Sequence, residues 1–598
     1  MSKADSALFF SKPFTLSIPA LVAAIATFSA SAGARDSGPS TPPAIAHAPS
    51  VTREALAKAQ PVTGQHGMVV SAQHLATMAG VDILEQGGNA IDAAVAVGYA
   101  QAVVHPCCGN IGGGGFMTIH LEDGRNLFLN FRERAPLKAT PTMFQDAQGN
   151  VVPNRSTDSY LGVGVPGTVM GLDTALAKYG TMPLKKVIAP AIELARDGYV
   201  LEQGDVNILN DSVEDFARHP NVAAVFLNHN KPFVAGERLV QPDLAHTLEQ
   251  ISADGTDAFY KGAIARAVVK ASEENGGILA MKDFADYTVQ WEKPIECGYR
   301  GYSIVSSPPP SSGGTTLCEI VQIIKPYPFA QWGYGSVNAV HYFAEAERRA
   351  FADRNTYLGD PAFVHNPIGQ LLSPAHADKI RATILRDKAT PSSEIKGELG
   401  ATEGDHTTHY SVADKDGNAV SVTYTLNFLF GTRQIAGDTG FFLNDTMDDF
   451  TSKPGVANAA GLVQGKANQV EPGKRPLSSM TPTLVMRGGK PFMLTGSPGN
   501  ATIISTTLQS ILNVVDYGMN VQQAVNAPRM HQQWYPQEVW IEGGMITPGT
   551  QRTLEAMGYR FKTIHAMGAD EAILIDPKNG LREGANDRRR PAGLAAGD

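Results

Sequence analysis

One threonine stands where its hydroxyl could become a nucleophile. Residues 387–405 (DKATPSSEIKGELGATEGD) are polar and lack periodicity, so they read as a linker. Directly afterwards residues 406–414 (HTTHYSVAD) alternate like a strand, which places Thr407 at or next to its first position. A threonine hydroxyl is a weak nucleophile. If the peptide bond after His406 is cut, however, the new α-amine of Thr407 can act as its general base. Such an amine has a pKa of about 7.7–8.0 and is partly neutral near pH 7–8. The base is then covalently positioned, and no histidine–carboxylate relay, metal or organic cofactor is required. Taken alone, a Thr-Thr pair opening a strand reports only β-propensity. The chemistry needs further support.

Other reactive types are arranged less suggestively. Cys107 and Cys108 are adjacent, while Cys297 and Cys318 are isolated, and none has C-x-x-C or zinc-ligand spacing. Buried free thiols are the expectation, with one disulfide as the alternative in an oxidising compartment. Residues 105–117 (HPCCGNIGGGGFM) contain four consecutive glycines but no following Lys-Ser/Thr pair, so this is not a phosphate loop. The glycines suit either close backbone approach or a plain tight turn. A net charge of −9 argues against a general nucleic-acid binder. The basic run Arg588-Arg589-Arg590 is expected to be a solvated end.

Several elements must position this chemistry. Residues 415–418 (KDGN) carry turn chemistry and 419–427 (AVSVTYTLN) alternate again, so Thr407 opens a β-hairpin. Residues 80–102 predict a helix started after Gly87-Gly88, followed by strands at 116–120 and 127–131 that end at Arg132. Residues 491–515 read as strand, turn (GSPGN) and helix. At the N-terminus, Lys3 and Lys12 flank an apolar run at 14–28, and Ala32-Gly33-Ala34 offers a cleavage site. That run is shorter than the ~20 residues a membrane span needs. Residues 1–34 therefore read as a signal peptide and 35–61 as a flexible lead-in, with the mature chain exported to the periplasm or medium and free of the membrane.

The threonine then gains its support from resemblance. HTTHYS (406–411), DKDGN (414–418) and TYTLN (423–427) resemble the processing site and first hairpin of the γ-glutamyltransferases. Further similar motifs follow in family order: VHP and GNIGGGGFM (104–117), FRERAP (131–136), GVPGTV (164–169) and KYGTMPL (178–184). After them come PPPSSGG (308–314), MDDF (447–450), KRPLSSMTPT (474–483), GSPG (496–499) and NAPRMHQQW (526–534). The resemblance runs from about residue 62 into the C-terminal region.

It implies an α+β fold, the four-layer αββα sandwich of the N-terminal nucleophile hydrolases. A cut between His406 and Thr407 would yield a large subunit (62–406) and a small catalytic subunit (407–598) as a heterodimer sharing one fold. It also implies that Thr407 attacks a γ-glutamyl amide such as glutathione, and that the acyl group passes to water or to an amino-acid or dipeptide amine. Thr425 would sit beside the new amine. Arg132, with Ser478 and Ser479, would hold the substrate α-carboxylate. Asp449 and Asn427 would bind its α-ammonium, and the Gly499-Asn500 turn would supply oxyanion donors.

Three positions depart from the pattern. Thr446 stands where the family has Gln or Glu to help hold the ammonium. Asn500 replaces a glycine, and Ala460 replaces a lid tyrosine. A looser lid would favour hydrolysis over transfer. The rival readings are a sibling acylase acting on a glutaryl-type amide and an unprocessed, non-catalytic secreted binding protein.

Overall fold

The computed structural model of the protein describes residues 53–396, 407–456, 458 and 465–598. The expected signal peptide, His406 and Ala460 lie outside the described residues. A short helix, Arg53–Lys58, occupies part of the expected lead-in.

Two seven-stranded sheets carry the fold. Their strands are β1 (Val62–Gly64), β2 (Met68–Ser71), β3 (Gly114–His120), β4 (Asn126–Phe131), β5 (Gln290–Glu292), β6 (Ile295–Tyr299) and β7 (Tyr302–Ser306). After these come β8 (Thr407–Ala413), β9 (Ala419–Thr425), β10 (Thr483–Arg487), β11 (Lys490–Thr495), β12 (Ala572–Ile575), β13 (Arg582–Ala585) and β14 (Leu594–Ala596). One sheet has the order β1-β13-β12-β11-β10-β7-β6 and the other β14-β2-β8-β9-β3-β4-β5. Neighbours in both are antiparallel.

Alternation along the strands stacks these sheets. Met68 and Val70 of β2 join Leu484, Leu494 and Ile573 in a core between the sheets. Val69, between them in sequence, faces the opposite way into a helix-packed core with Tyr410, Val412 and Tyr424. Ile304, Val485 and Met493 face helices on the outer side of the other sheet. The result is helix, sheet, sheet, helix. Each fully buried valine or leucine contributes about 1.5–3 kcal/mol relative to exposure. A one-residue slip would turn a whole strand face the wrong way, so burial pins the register.

Seven helices matter for the site and its surroundings: α1 (His74–Glu85), α2 (Ala90–Val104), α3 (Thr168–Tyr179), α4 (Gly313–Ile324), α5 (Val337–Tyr357), α6 (Pro374–Arg381) and α7 (Thr502–Val515). The predicted helix start is found. Asn89 caps α2, accepting from Ile91 N and Asp92 N, while Asp92 closes a capping box. The helix is buried on every side, as its Ala- and Val-rich sequence permits.

The glycine run serves backbone packing. A Cβ on Gly113 would lie 2.0 Å from the Thr425 carbonyl oxygen, so only glycine lets this segment lie against β9.

Two expectations are corrected. The cysteines are not free thiols: Cys107 pairs with Cys108 and Cys297 with Cys318. The second pairing exists because β6 packs against α4, a contact that spacing alone does not reveal. The basic run is not a solvated end either. Arg589 is buried and donates to Asp587 and Glu542, and Arg590 is also buried. The run lies just before β14, which pairs with β2, and this draws it inward.

Candidate active site

β8 and β9 lie in the middle of their sheet, and their register sets Thr407 opposite Thr425. The Thr407 hydroxyl donates to Thr425 Oγ1 at 3.2 Å, and Asn427 N donates to the same oxygen at 2.8 Å. Thr407 is 6 % exposed, at the wall of a narrow cleft. The cleft is also lined by Arg132, Asn427, Asp449, Ser478, Ser479 and Asn500. A larger open groove, bounded by residues 298–303 and 488–489, contains none of them.

Arg132 follows the last residue of β4 and is fully buried. Its backbone is held at both ends: N donates to Asn130 Oδ1 at 3.0 Å, and the carbonyl accepts from Tyr287 at 2.8 Å. The guanidinium pairs with Glu133 at 3.1 Å and with Asp449. Burial pushes Glu133 up to about 7, against the pull of Arg132. Burial also raises Asp449, again opposed by Arg132. Arg132 and Asp449 thus set a guanidinium and a carboxyl group side by side, types complementary to the carboxylate and ammonium of an amino-acid head group.

Ser478 Oγ accepts from Met480 N at 3.1 Å, which fixes the loop carrying both serines. Asn427 holds a positive φ of 86° while its amide donates to the Asp445 carbonyl at 3.1 Å. Asn500 has φ 54°, a left-handed conformation asparagine tolerates better than most residues. Gly499 is not part of the cleft wall. It has φ 130°, and its carbonyl accepts from Thr502 N at 3.0 Å at the start of α7. The turn thus brings the positive end of a fourteen-residue helix to the cleft.

Thr446 is the expected binding residue that the structure does not bring to the cleft. Its hydroxyl donates to Asn444 Oδ1 at 2.7 Å, and Asn444 in turn donates to the Gly112 and Gly164 carbonyls. A side chain this short has its donor spent beneath the site.

Arg354, near the end of α5, lines the cleft without having been singled out from the sequence. It donates to Ser479 Oγ at 2.8 Å, Ser312 Oγ at 3.0 Å and Asn355 Oδ1 at 2.9 Å. With the Ser479 oxygen accepting from Arg354, that serine's own proton is directed elsewhere, and the cleft gains a second guanidinium. An arginine in a long charged helix carries no sequence signal of this placement.

A four-layer αββα sandwich with a threonine at the head of a central strand defines the N-terminal nucleophile hydrolase class. Within it the chain belongs to the gamma-glutamyltranspeptidase family, whose profile matches residues 76–597. It is 54 % identical over 546 residues to a glutathione hydrolase proenzyme of Pseudomonas sp. (strain A14), covering 90 % of this chain and 95 % of that one. It is 49 % identical over 539 residues to the Escherichia coli (strain K12) protein of the same name, covering 90 % and 93 %. Among solved structures, a cephalosporin acylase from Bacillus halodurans superposes with a TM-score of 0.80 at 26 % identity, over 92 % of this chain and 98 % of that one.

Proposed function

We propose that the protein is a glutathione hydrolase and γ-glutamyltransferase, made as a proenzyme and activated by cleavage between His406 and Thr407. The carrying observation is the cleft itself: a threonine nucleophile beside paired opposite charges suited to an amino-acid head group. Thr407 Oγ1, deprotonated by its own α-amine, attacks the γ-amide carbonyl and forms a γ-glutamyl ester. The same amine returns its proton to the leaving amine, which for glutathione is Cys-Gly. Water, or an amino-acid or dipeptide amine, then takes the acyl group in a second half-reaction. Arg132, Ser478 and Ser479 hold the α-carboxylate, and Asp449 and Asn427 the α-ammonium. The backbone N–H of Asn500, the cleft-lining residue of the Gly499–Asn500 turn, stabilises the tetrahedral oxyanion, where loss of one donor typically costs about 10²–10³ in rate.

Residues 62–406 and 407–598 would remain together as a heterodimer, since strands from both interleave in each sheet. Export of the mature enzyme fits the sequence of residues 1–34. Among the described residues no helix is long and apolar enough to cross a membrane.

N-terminal sequencing of the active enzyme should find a fragment beginning Thr-Thr-His-Tyr. Thr407→Ala should remain one inactive chain, and a split, active variant would refute the nucleophile. The acylase relative makes substrate choice the second test. The enzyme should cleave γ-glutamyl-p-nitroanilide in preference to glutaryl-p-nitroanilide, because only the former has the ammonium that Asp449 recognises. The opposite preference would make it an acylase.

A further inference from the structure

Glu319, Asp353 and His376 come from three different helices, α4, α5 and α6, and none of them lines the cleft. Glu319 is out of character for its helix. Leu317, Ile320, Val321 and Ile324 of α4 pack into the core, yet the Glu319 side chain is only 2 % exposed. A carboxylate so placed is costly unless a cation sits against it. The structure supplies one nitrogen for two acids: His376 Nε2 lies 3.1 Å from Glu319 Oε1 and 2.9 Å from Asp353 Oδ2. A divalent cation held by the imidazole and both carboxylates would give each acid a positive partner.

The geometry suits such an ion. The three ligand atoms lie within 4.8 Å of one another. Zinc bonded at about 2.0–2.2 Å to oxygen and nitrogen sets neighbouring tetrahedral ligands roughly 3.3–3.5 Å apart. The two observed nitrogen–oxygen separations need to open by only a few tenths of an ångström. Asp353 and His376 are 18 % and 19 % exposed, so an ion can enter and water can complete its shell. Imidazole with carboxylates is a donor set for zinc-like transition metals, whereas calcium and magnesium favour oxygen alone.

We propose that Glu319, Asp353 and His376 form a binding site for one divalent transition-metal ion of the zinc class. Binding expels the His376 Nε2 proton to solvent and ties α4, α5 and α6 through one centre. The site is independent of the hydrolytic reaction.

The test uses the processed enzyme, stripped with a chelator, dialysed, and titrated calorimetrically with zinc chloride at mildly alkaline pH. Wild type should bind one equivalent and gain thermal stability. His376→Gln and Glu319→Gln should each weaken that binding at least about tenfold while still hydrolysing substrate. X-ray absorption of the zinc-loaded wild type should show only nitrogen and oxygen ligands, and this reading does not depend on either variant folding. Absence of a binding equivalent, undiminished binding in the variants, or sulfur in the zinc shell would overturn the proposal. The cluster would then be an imidazolium strap.

Discussion

Thr407 and Thr425 face each other across β8 and β9, and the Thr407 hydroxyl donates to Thr425 Oγ1 at 3.2 Å. That contact aims the reacting oxygen before any substrate arrives, and Asn427 N holds Thr425 in turn. Thr425→Val keeps the shape but removes the acceptor. Loss of a buried hydrogen bond costs about 1–3 kcal/mol, which corresponds to roughly 5- to 150-fold in rate. Both chain cleavage, followed on gels, and kcat should fall by that order, and Thr425→Ser should restore most of each. An unimpaired valine variant would remove Thr425 from the mechanism.

The two cleft arginines should separate kinetically. Arg132→Gln removes the fork expected to grip the substrate carboxylate. Charge-assisted bonds contribute about 1.5–3 kcal/mol, so KM should rise roughly 10- to 150-fold with kcat less affected. Arg354 donates to Ser479 Oγ, one of the hydroxyls proposed to hold the carboxylate, so Arg354→Gln should raise KM by a smaller factor, and Arg354→Lys should recover part of it. Steady-state kinetics on processed protein decides. A KM unchanged in Arg132→Gln would end its assignment to the substrate.

His409 provides a pH signature. It is fully buried on β8, bonded to Thr423 Oγ1 at 2.8 Å and Ser411 Oγ at 3.2 Å, and burial lowers its pKa to about 3. Unfolded, it titrates near about 6.5. Between those values the unfolded chain binds a proton that the folded protein refuses, so stability falls as pH falls. The stability of wild type relative to His409→Gln should therefore decline below about pH 6.5 by about 1.4 kcal/mol per pH unit. Urea midpoints measured from neutral to acidic pH check this; a flat difference would mean the imidazole is not held neutral.

The Cys297–Cys318 bond joins β6 to α4 across a sequence separation of 21. A loop of about this size is worth ~3 kcal/mol by restricting the unfolded chain. Replacing both cysteines by alanine should lower the urea midpoint accordingly, with little change in kcat because neither residue lines the cleft. Equal stability of oxidised wild type and the double variant would contradict the bond.

Much of the site was legible in residue order. Alternation and turn chemistry placed the hairpin that Thr407 opens, the GSPGN turn announced a helix, and ordered motifs named Arg132, Asp449 and the Ser478–Ser479 pair. These features are local: period-two burial, turn residues and caps act over a few positions, so a linear string preserves them. Four features were not legible, because each depends on how the chain packs in three dimensions. Arg354 reaches Ser479 across 125 residues, and Thr446 turns its hydroxyl to Asn444. Cys297 meets Cys318 only when β6 docks on α4, and Arg589 is drawn inside by Asp587 and Glu542. The sequence alone determined which groups were capable of chemistry. Tertiary packing decided which of them share a cleft and which spend their donors elsewhere, because a side chain's partners are settled by burial and not by spacing along the chain.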